Sequence, residues 1–269
     1  MKKLFLPINL LILYLFLLAF TAAFLWSGNA LSEWLLHGRN LLLLFTGGLL
    51  VRFTLSRLWK KQAPFLVFRI EHRIITTLIL FLLFDITTPW YIFFLLGILT
   101  ELGQCVWRAP GSPLFNPGAL GALTVTMLGF YPSWWGANFP PRFSLPGGAG
   151  EVSIALILTL TLGLLVASRY RKLPLILSAI ASFAVIYPLL LGQSPLYIVL
   201  EGTFLFFLIV MCTEPKTSPA IPKEQRFYGA LIGAMLALGL FFHFFEAYLI
   251  ALLVGNIYTK RQLWLDLFR

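Results

Sequence analysis

The chain has 269 residues, of which 59% are hydrophobic, 16% aromatic and 11% charged, with a mean hydropathy of +0.90. Soluble domains carry about 25% charged residues, so a water-soluble globular fold is excluded. The formal charge of +10 does not imply a nucleic-acid partner, because the basic residues cluster between apolar runs and read as loops facing anionic lipid.

Met1, Lys2 and Lys3 precede an apolar stretch at 4–26. It is too long for the hydrophobic region of a signal peptide and lacks a small-x-small cleavage site, so it reads as a retained first helix. Nine further apolar segments follow, at 40–58, 74–84, 90–106, 117–131, 152–167, 173–191, 196–212, 227–242 and 247–258. One crossing takes roughly 20 residues, so such a series leaves no room for a soluble catalytic domain. The third segment is short, and only His243-Phe244-Phe245-Glu246 separates the last two, which requires short or tilted helices in a tight bundle. The expected fold is all-α: one transmembrane domain over residues 1–269, a polytopic helical bundle of about ten helices. Five helices per half gives any internal duplication inverted topology, so two inverted five-helix repeats are expected on geometry, without a strong internal sequence repeat.

Charge tests this topology independently. With a cytoplasmic N-terminus and ten crossings, the inner loops hold seventeen basic residues. These are Lys2, Lys3, Arg57, Lys60, Lys61, Arg69, Arg73, Arg108, Arg169, Arg171, Lys172, Lys216, Lys223, Arg226, Lys260, Arg261 and Arg269. The outer loops hold two, Arg39 and Arg142, and Arg52 is placed to snorkel from the inner end of the second segment. The positive-inside rule then places both termini in the cytoplasm.

Ionisable groups inside a membrane cost about 2.5 to 3.5 kcal/mol each on insertion scales and mark candidate sites. Glu101 lies near the inner end of the fourth segment, Glu151 opens the sixth at the outer face, and Glu201 lies about one turn inside the eighth. Asp85 and Glu246 fall in outer turns. Glu101 reads as a hydrogen-bonded bundle residue or, with Glu201, as part of an ion path. Pro146-Gly147-Gly148-Ala149-Gly150 ahead of Glu151 exposes backbone amides to an anionic group at a helix N-terminus, unless Glu151 simply caps its own helix. Asn116-Pro117 follows a Gly/Pro-rich stretch, and Met211-Cys212-Thr213-Glu214-Pro215 ends the eighth segment on the same side. Proline stops a helix and leaves carbonyls unpaired at both places.

His37, His72 and His243 read as loop or turn residues without the facing pairs that haem ligation needs. The sequence has no P-loop, HExxH, GxSxG or CxxC, which leaves nucleotide hydrolysis, zinc proteolysis, serine hydrolysis and thioredoxin-like chemistry without support. Cys105 and Cys212 lie near inner helix ends. They read as reduced, buried thiols, with a four-thiolate iron–sulfur site shared between copies or subunits as the alternative.

Three ordered blocks resemble the NqrB/RnfD family, the membrane subunits of sodium-translocating NADH:quinone reductase and of the Rnf electron-transport complex. Leu114-Phe115-Asn116-Pro117-Gly118-Ala119-Leu120 is similar to its FNPA segment. The stretch from Leu145 to Ser153 resembles PGSxGExS, and Met211 to Pro219 resembles MATDPVTSP, followed by a GALIG-like Gly229 to Gly233. The similarity covers about residues 74–258. It implies two inverted five-helix repeats in a bacterial cytoplasmic membrane, bound flavin, and partner subunits of a redox complex, with quinone as a further partner. The carried-over cofactor-binding positions are Asn116, Pro117, Glu151, Ser153, Thr213 and Glu214.

The departures are specific. Family members carry flavin covalently on the threonine of an SGAT motif, whereas residues 131–144 contain no threonine, so flavin (FMN or riboflavin) is expected to be held noncovalently. TDP is Thr213-Glu214-Pro215 and NPA is Asn116-Pro117-Gly118, while Glu201 stands where a small residue is usual. The expected function is electron transport, as at most one subunit of a redox-driven translocase. The rival is a redox-silent transporter or channel for a small solute or cation on the same scaffold, with Glu151 and Glu201 at its outer mouth.

Overall fold

The computed structural model describes residues 6–27, 30–58, 70–109, 112–138, 142–144, 151–244 and 246–261. These residues form a helical bundle with two short antiparallel strand pairs, β1 (Arg108–Ala109) with β2 (Ser112–Pro113) and β3 (Arg142–Ser144) with β4 (Glu151–Ser153). Among them, three helices are long and apolar enough to cross a membrane: α1 (Pro7–Ser27), Leu31–Arg57 within α2 (Leu31–Leu58), and α8 (Leu173–Leu191). The others include α3 (Ile70–Leu83), α4 (Trp90–Val106), α5 (Pro117–Thr126), α11 (Pro222–Phe241) and α12 (Ala247–Thr259). Large apolar side chains such as Phe16, Leu42, Leu177, Val185 and Leu189 face outward, the distribution expected of a bundle solvated by lipid.

The fourth and seventh expected segments coincide with α4 and α8. The second begins earlier, at Leu31 instead of 40. Glu33 suits the positive end of the helix dipole, and a Cβ added at Gly38 would meet nothing within 4 Å, so that glycine marks no helix crossing. His37 and His72 therefore lie within α2 and α3, not in loops. The fifth segment stops short of 131, because the chain turns at Gly129 with φ +91, a conformation glycine adopts without strain.

Two segments are reorganised. Glu151 does not open or cap the sixth; it belongs to β4, opposite Ser144. Ser153 is the cap, its Oγ accepting from the Leu156 amide at 3.1 Å. The helix then runs as α6 (Ile154–Leu158), a π turn (Thr159–Gly163) and α7 (Leu164–Arg169). The eighth segment is broken into α9 (Leu196–Val199) and α10 (Gly202–Phe206), the latter continuing into a π turn (Phe207–Met211). Glu201 at the break is extended, with φ −75 and ψ 138. A Cβ on Gly202 would collide with the Ala137 carbonyl oxygen, so glycine is required for that loop to dock.

Packing follows one scheme twice. α2 lies along α4, and α4 packs on α5; likewise α8 lies along α11, and α11 packs on α12. Backbones touch through glycine in both pairs: a Cβ on Gly97 would collide with the Leu44 carbonyl, and one on Gly233 with the Ala179 carbonyl. Small residues at such crossings allow the close packing that holds helices together where no hydrophobic driving force acts. α5 and α12 meet each other and join the two halves.

Candidate functional site

Asn116 caps α5, with Oδ1 accepting from the Ala119 amide at 3.0 Å and Pro117 following at the position where its missing N–H costs nothing. Its Nδ2 donates to Glu214 Oε2 at 2.8 Å and to the Met211 carbonyl at 3.3 Å. The Asn116 amide donates to Asn256 Oδ1 on α12 at 2.6 Å, and Asn256 Nδ2 reaches Tyr228 Oη and the Thr217 carbonyl. Thr217 Oγ1 closes the network on Glu214 Oε2 at 3.1 Å. The π turn before Cys212, closed by the Cys212 amide on the Phe207 carbonyl at 3.0 Å, shifts the helix phase and aims Thr213 and Glu214 at α5. Turns of this kind recur at functional sites.

Asn116, Pro117, Thr213 and Glu214 thus meet at one cavity of about 20 Å³, which Tyr170 and Thr76 also line. That volume suits about one water molecule, whereas pockets for drug-sized ligands run to about 300 Å³ and more. A flavin ring system does not fit this cavity as it stands. Thr213 Oγ1 donates to the Ile209 carbonyl at 2.6 Å, so its hydroxyl is committed to the helix end. Burial pushes the Glu214 carboxyl up to about 7, against the opposing influence of the Thr217 bond and Lys216. Glu214 can therefore hold or release a proton near neutrality at the cavity wall. Burial together with Glu214 lifts the Tyr170 hydroxyl to about 12. Lys172, buried and donating to the Pro219 carbonyl at 2.6 Å, is lowered to about 8 by desolvation.

The other expected site residues lie elsewhere. Tyr170 closes the sixth segment at the cavity, so Ser153, at the start of that segment, sits at the opposite end of the bundle with the β4 backbone of Glu151. The glycine-rich residues 146–150 lie outside the described residues, as do Lys2, Lys3, Lys60, Lys61, Arg69 and Arg269. At that opposite end Glu201 Oε1 accepts from Asn138 Nδ2 at 3.2 Å, and Asn138 also reaches Thr203 Oγ1. The loop before Asn138 is inserted into the bundle. The Trp134 amide donates to the Leu83 carbonyl, Trp135 Nε1 to the Phe81 carbonyl at 2.6 Å, and both indoles are buried. Glu246, buried just ahead of α12, has its carboxyl raised to about 7 by desolvation.

Glu101 is not an open ion ligand. Its Oε1 accepts from Arg52 at 2.6 Å and its Oε2 from Arg73 at 3.4 Å, with the carboxylate side chain 2% exposed. Arg52 consequently turns inward instead of snorkelling, and Arg73 is a buried residue of α3, not a loop residue. The sequence held a signal for this pair that helix-by-helix counting missed: Arg73, Thr77 and Phe81 recur every fourth residue, as do Leu44, Gly48 and Arg52, which places each set on one helix face. Cys105 and Cys212 are free, and Cys212 is buried in the core. Among the described residues no three His, Cys, Asp or Glu side chains gather as a metal site.

No family model matches the chain, and no curated protein matches it in sequence.

Proposed function

We propose that the chain is an RnfD/NqrB-like integral membrane subunit of a bacterial electron-transport complex, with ten crossings in two inverted five-helix repeats and both termini in the cytoplasm. The observation that carries this reading is the Asn116–Glu214 hydrogen bond of 2.8 Å, which joins two sequence blocks, each similar to a family motif, at a single cavity. The twice-used packing scheme of α2, α4 and α5 and of α8, α11 and α12 supports the repeat. The charge asymmetry supports the orientation even with Arg73 removed from the loops. Because the cavity is water-sized, in this reading any noncovalent flavin lies between this end of the chain and partner subunits, and quinone reacts within the complex.

The test is the visible spectrum of the detergent-purified chain and of the complex that co-purifies with it, before and after acid precipitation. Flavin released to the supernatant from the complex supports the reading. Colourless material with no redox partners removes it.

A second reading, a redox-silent transporter of a small solute or cation, is favoured by the broken helix at Glu201 and its Asn138–Thr203 partners. Discontinuous helices are where transporters build their sites. Here Glu201→Gln changes uptake into proteoliposomes; unchanged uptake counts against it.

A further inference from the structure

Glu214 bonds to both halves of the bundle at once. Its Oε2 accepts from Asn116 Nδ2, at the start of α5, at 2.8 Å and from Thr217 Oγ1, ahead of α11, at 3.1 Å. Among the described residues its Oε1 has no such donor. The carboxyl lines the water-sized cavity together with Thr76 and Ile79 of α3 and with Pro215, which is exposed. One oxygen is thus tied into the protein, and the other is left for a single water that can pass a proton towards the surface.

Behind the tied oxygen lies the junction of the halves. The Asn116 amide donates to Asn256 Oδ1 of α12 at 2.6 Å, and Asn256 Nδ2 reaches Tyr228 Oη of α11. α5 and α12 are the helices through which the halves meet. A carboxylate holds its donors more strongly than a neutral carboxyl does, because charge-assisted hydrogen bonds are shorter and about twice as strong. Losing a proton from the carboxyl therefore tightens both bonds at Oε2, and with them the grip of the second half on the start of α5.

The neighbours leave this equilibrium to Glu214. Burial disfavours its charge, and Lys216 and the Thr217 bond favour it, as does the positive end of the α5 dipole. Tyr170, from the turn before α8, and Tyr228, from α11, carry hydroxyls that are uncharged near neutrality. Lys172 is turned to the Ser218 and Pro219 carbonyls. α1 and α3 present Leu11, Ile75, Thr76 and Ile79 to the cavity, none of which titrates.

We propose that Glu214 is a proton switch on the junction of the two halves: the carboxyl exchanges a proton with the cavity at Oε1, and Oε2 passes the change of charge to α5 and α12 through Asn116. The switch stands under either reading of what the chain carries. Its test uses the purified chain alone, so a failure here leaves both readings in place.

Infrared difference spectroscopy of the detergent-purified full chain, titrated in pH, reads the proton as the C=O stretch of a protonated carboxyl, recognised by its shift in heavy water. Glu246 titrates in the same range, so Glu246→Gln serves as the background. One protonated carboxyl that is lost with a midpoint near neutrality is expected, and Glu214→Gln on that background removes it. Asn116→Ala takes away a donor that favours the ionised form and moves the midpoint up by about one pH unit. No titrating band, or one that survives Glu214→Gln, overturns the proton site. A midpoint unmoved by Asn116→Ala overturns the link to the junction, since a merely structural asparagine would not shift a neighbour's titration. If Glu246→Gln or Glu214→Gln does not fold, Asn116→Ala in the otherwise unaltered chain decides: one titrating component must move up, and two unmoved components overturn the switch.

Discussion

The two halves of the bundle use the same helix pairing but fill it differently. Between α8 and α11 the close approach at Gly229 and Gly233 is accompanied by hydroxyls, Ser178 donating to the Arg226 carbonyl and Ser182 to the Ala230 carbonyl, each at 2.8 Å. Between α2, α3 and α4 the equivalent space holds Asn40, Arg73, Arg52 and Glu101. The comparison separates what the packing scheme requires, small residues at crossings, from what has been added to one copy of it. Buried charge is expensive in a low-dielectric interior; the first half places an ion-paired cluster between its helices, whereas the buried Lys172 and Glu246 of the second half stand at helix starts.

The sharpest way to break the common element is to widen a crossing. Gly233→Leu should abolish recovery of monodisperse protein in size-exclusion chromatography, because backbone and not a yielding side chain opposes it, whereas Gly38→Ala, with open space around it, should leave the profile unchanged. The added element is tested by Glu101→Ala, which strands Arg73 and Arg52. Loss of one partner of a buried pair costs about 3 to 5 kcal/mol, read as a fall in unfolding midpoint, and a midpoint within error of the unaltered chain would show the pair to be idle. Asn116→Ala removes a helix cap worth about 1 kcal/mol together with the contact to Glu214, and should lower the midpoint by less than Glu101→Ala does.

The smallest effect concerns pH. The folded chain holds the Glu214 proton up to about 7, above the ordinary value of 4.5. In that window it binds more protons than the unfolded chain, and stability falls as pH rises. Glu214→Gln should flatten this fall in part, since Glu246 titrates in the same range; a slope unaltered by Glu214→Gln would mean that Glu214 is not buried as described. Lys172, lowered to about 8 from 10.5, acts in the opposite sense, adding stability as pH rises between those values.

Hydropathy alone located α4 and α8 to the residue, because both are long and strongly apolar runs with punctuation at an end: Pro89 before Trp90, and Gly192 with φ +65 after Leu191. It failed at α2, where Glu33, His37 and Arg39 resemble a loop when read as a string, although Glu33, His37, Asn40 and Leu44 recur every third or fourth residue along one helical face. It failed also at Glu201, since a break imposed by docking of the Ala137 carbonyl has no local signature beyond one glycine. Of the site, the Asn116 and Thr213-Glu214 blocks were legible as motifs, and their meeting is long-range. Ser153 and Glu151 were placed with them by resemblance, although the helix between Ser153 and Tyr170 carries them to the other end. A charge beside an apolar run, such as Arg73, reads as a loop residue because such charges are ordinarily solvated, and only the three-dimensional proximity of Glu101 makes its burial tolerable.

The π turn at Phe207–Met211 sets where the residues after it fall. It accommodates one residue more than regular α-helix would, and Thr213 and Glu214 lie downstream of it. Winding the same residues as regular α-helix would rotate everything after the turn by about 100° and carry Glu214 away from Asn116 with every side chain intact. Deleting a single residue from 207–211 would let the helix wind regularly with Glu214 still facing Asn116. Related chains one residue shorter in this turn would share the geometry of the site across a different spacing of its motif letters.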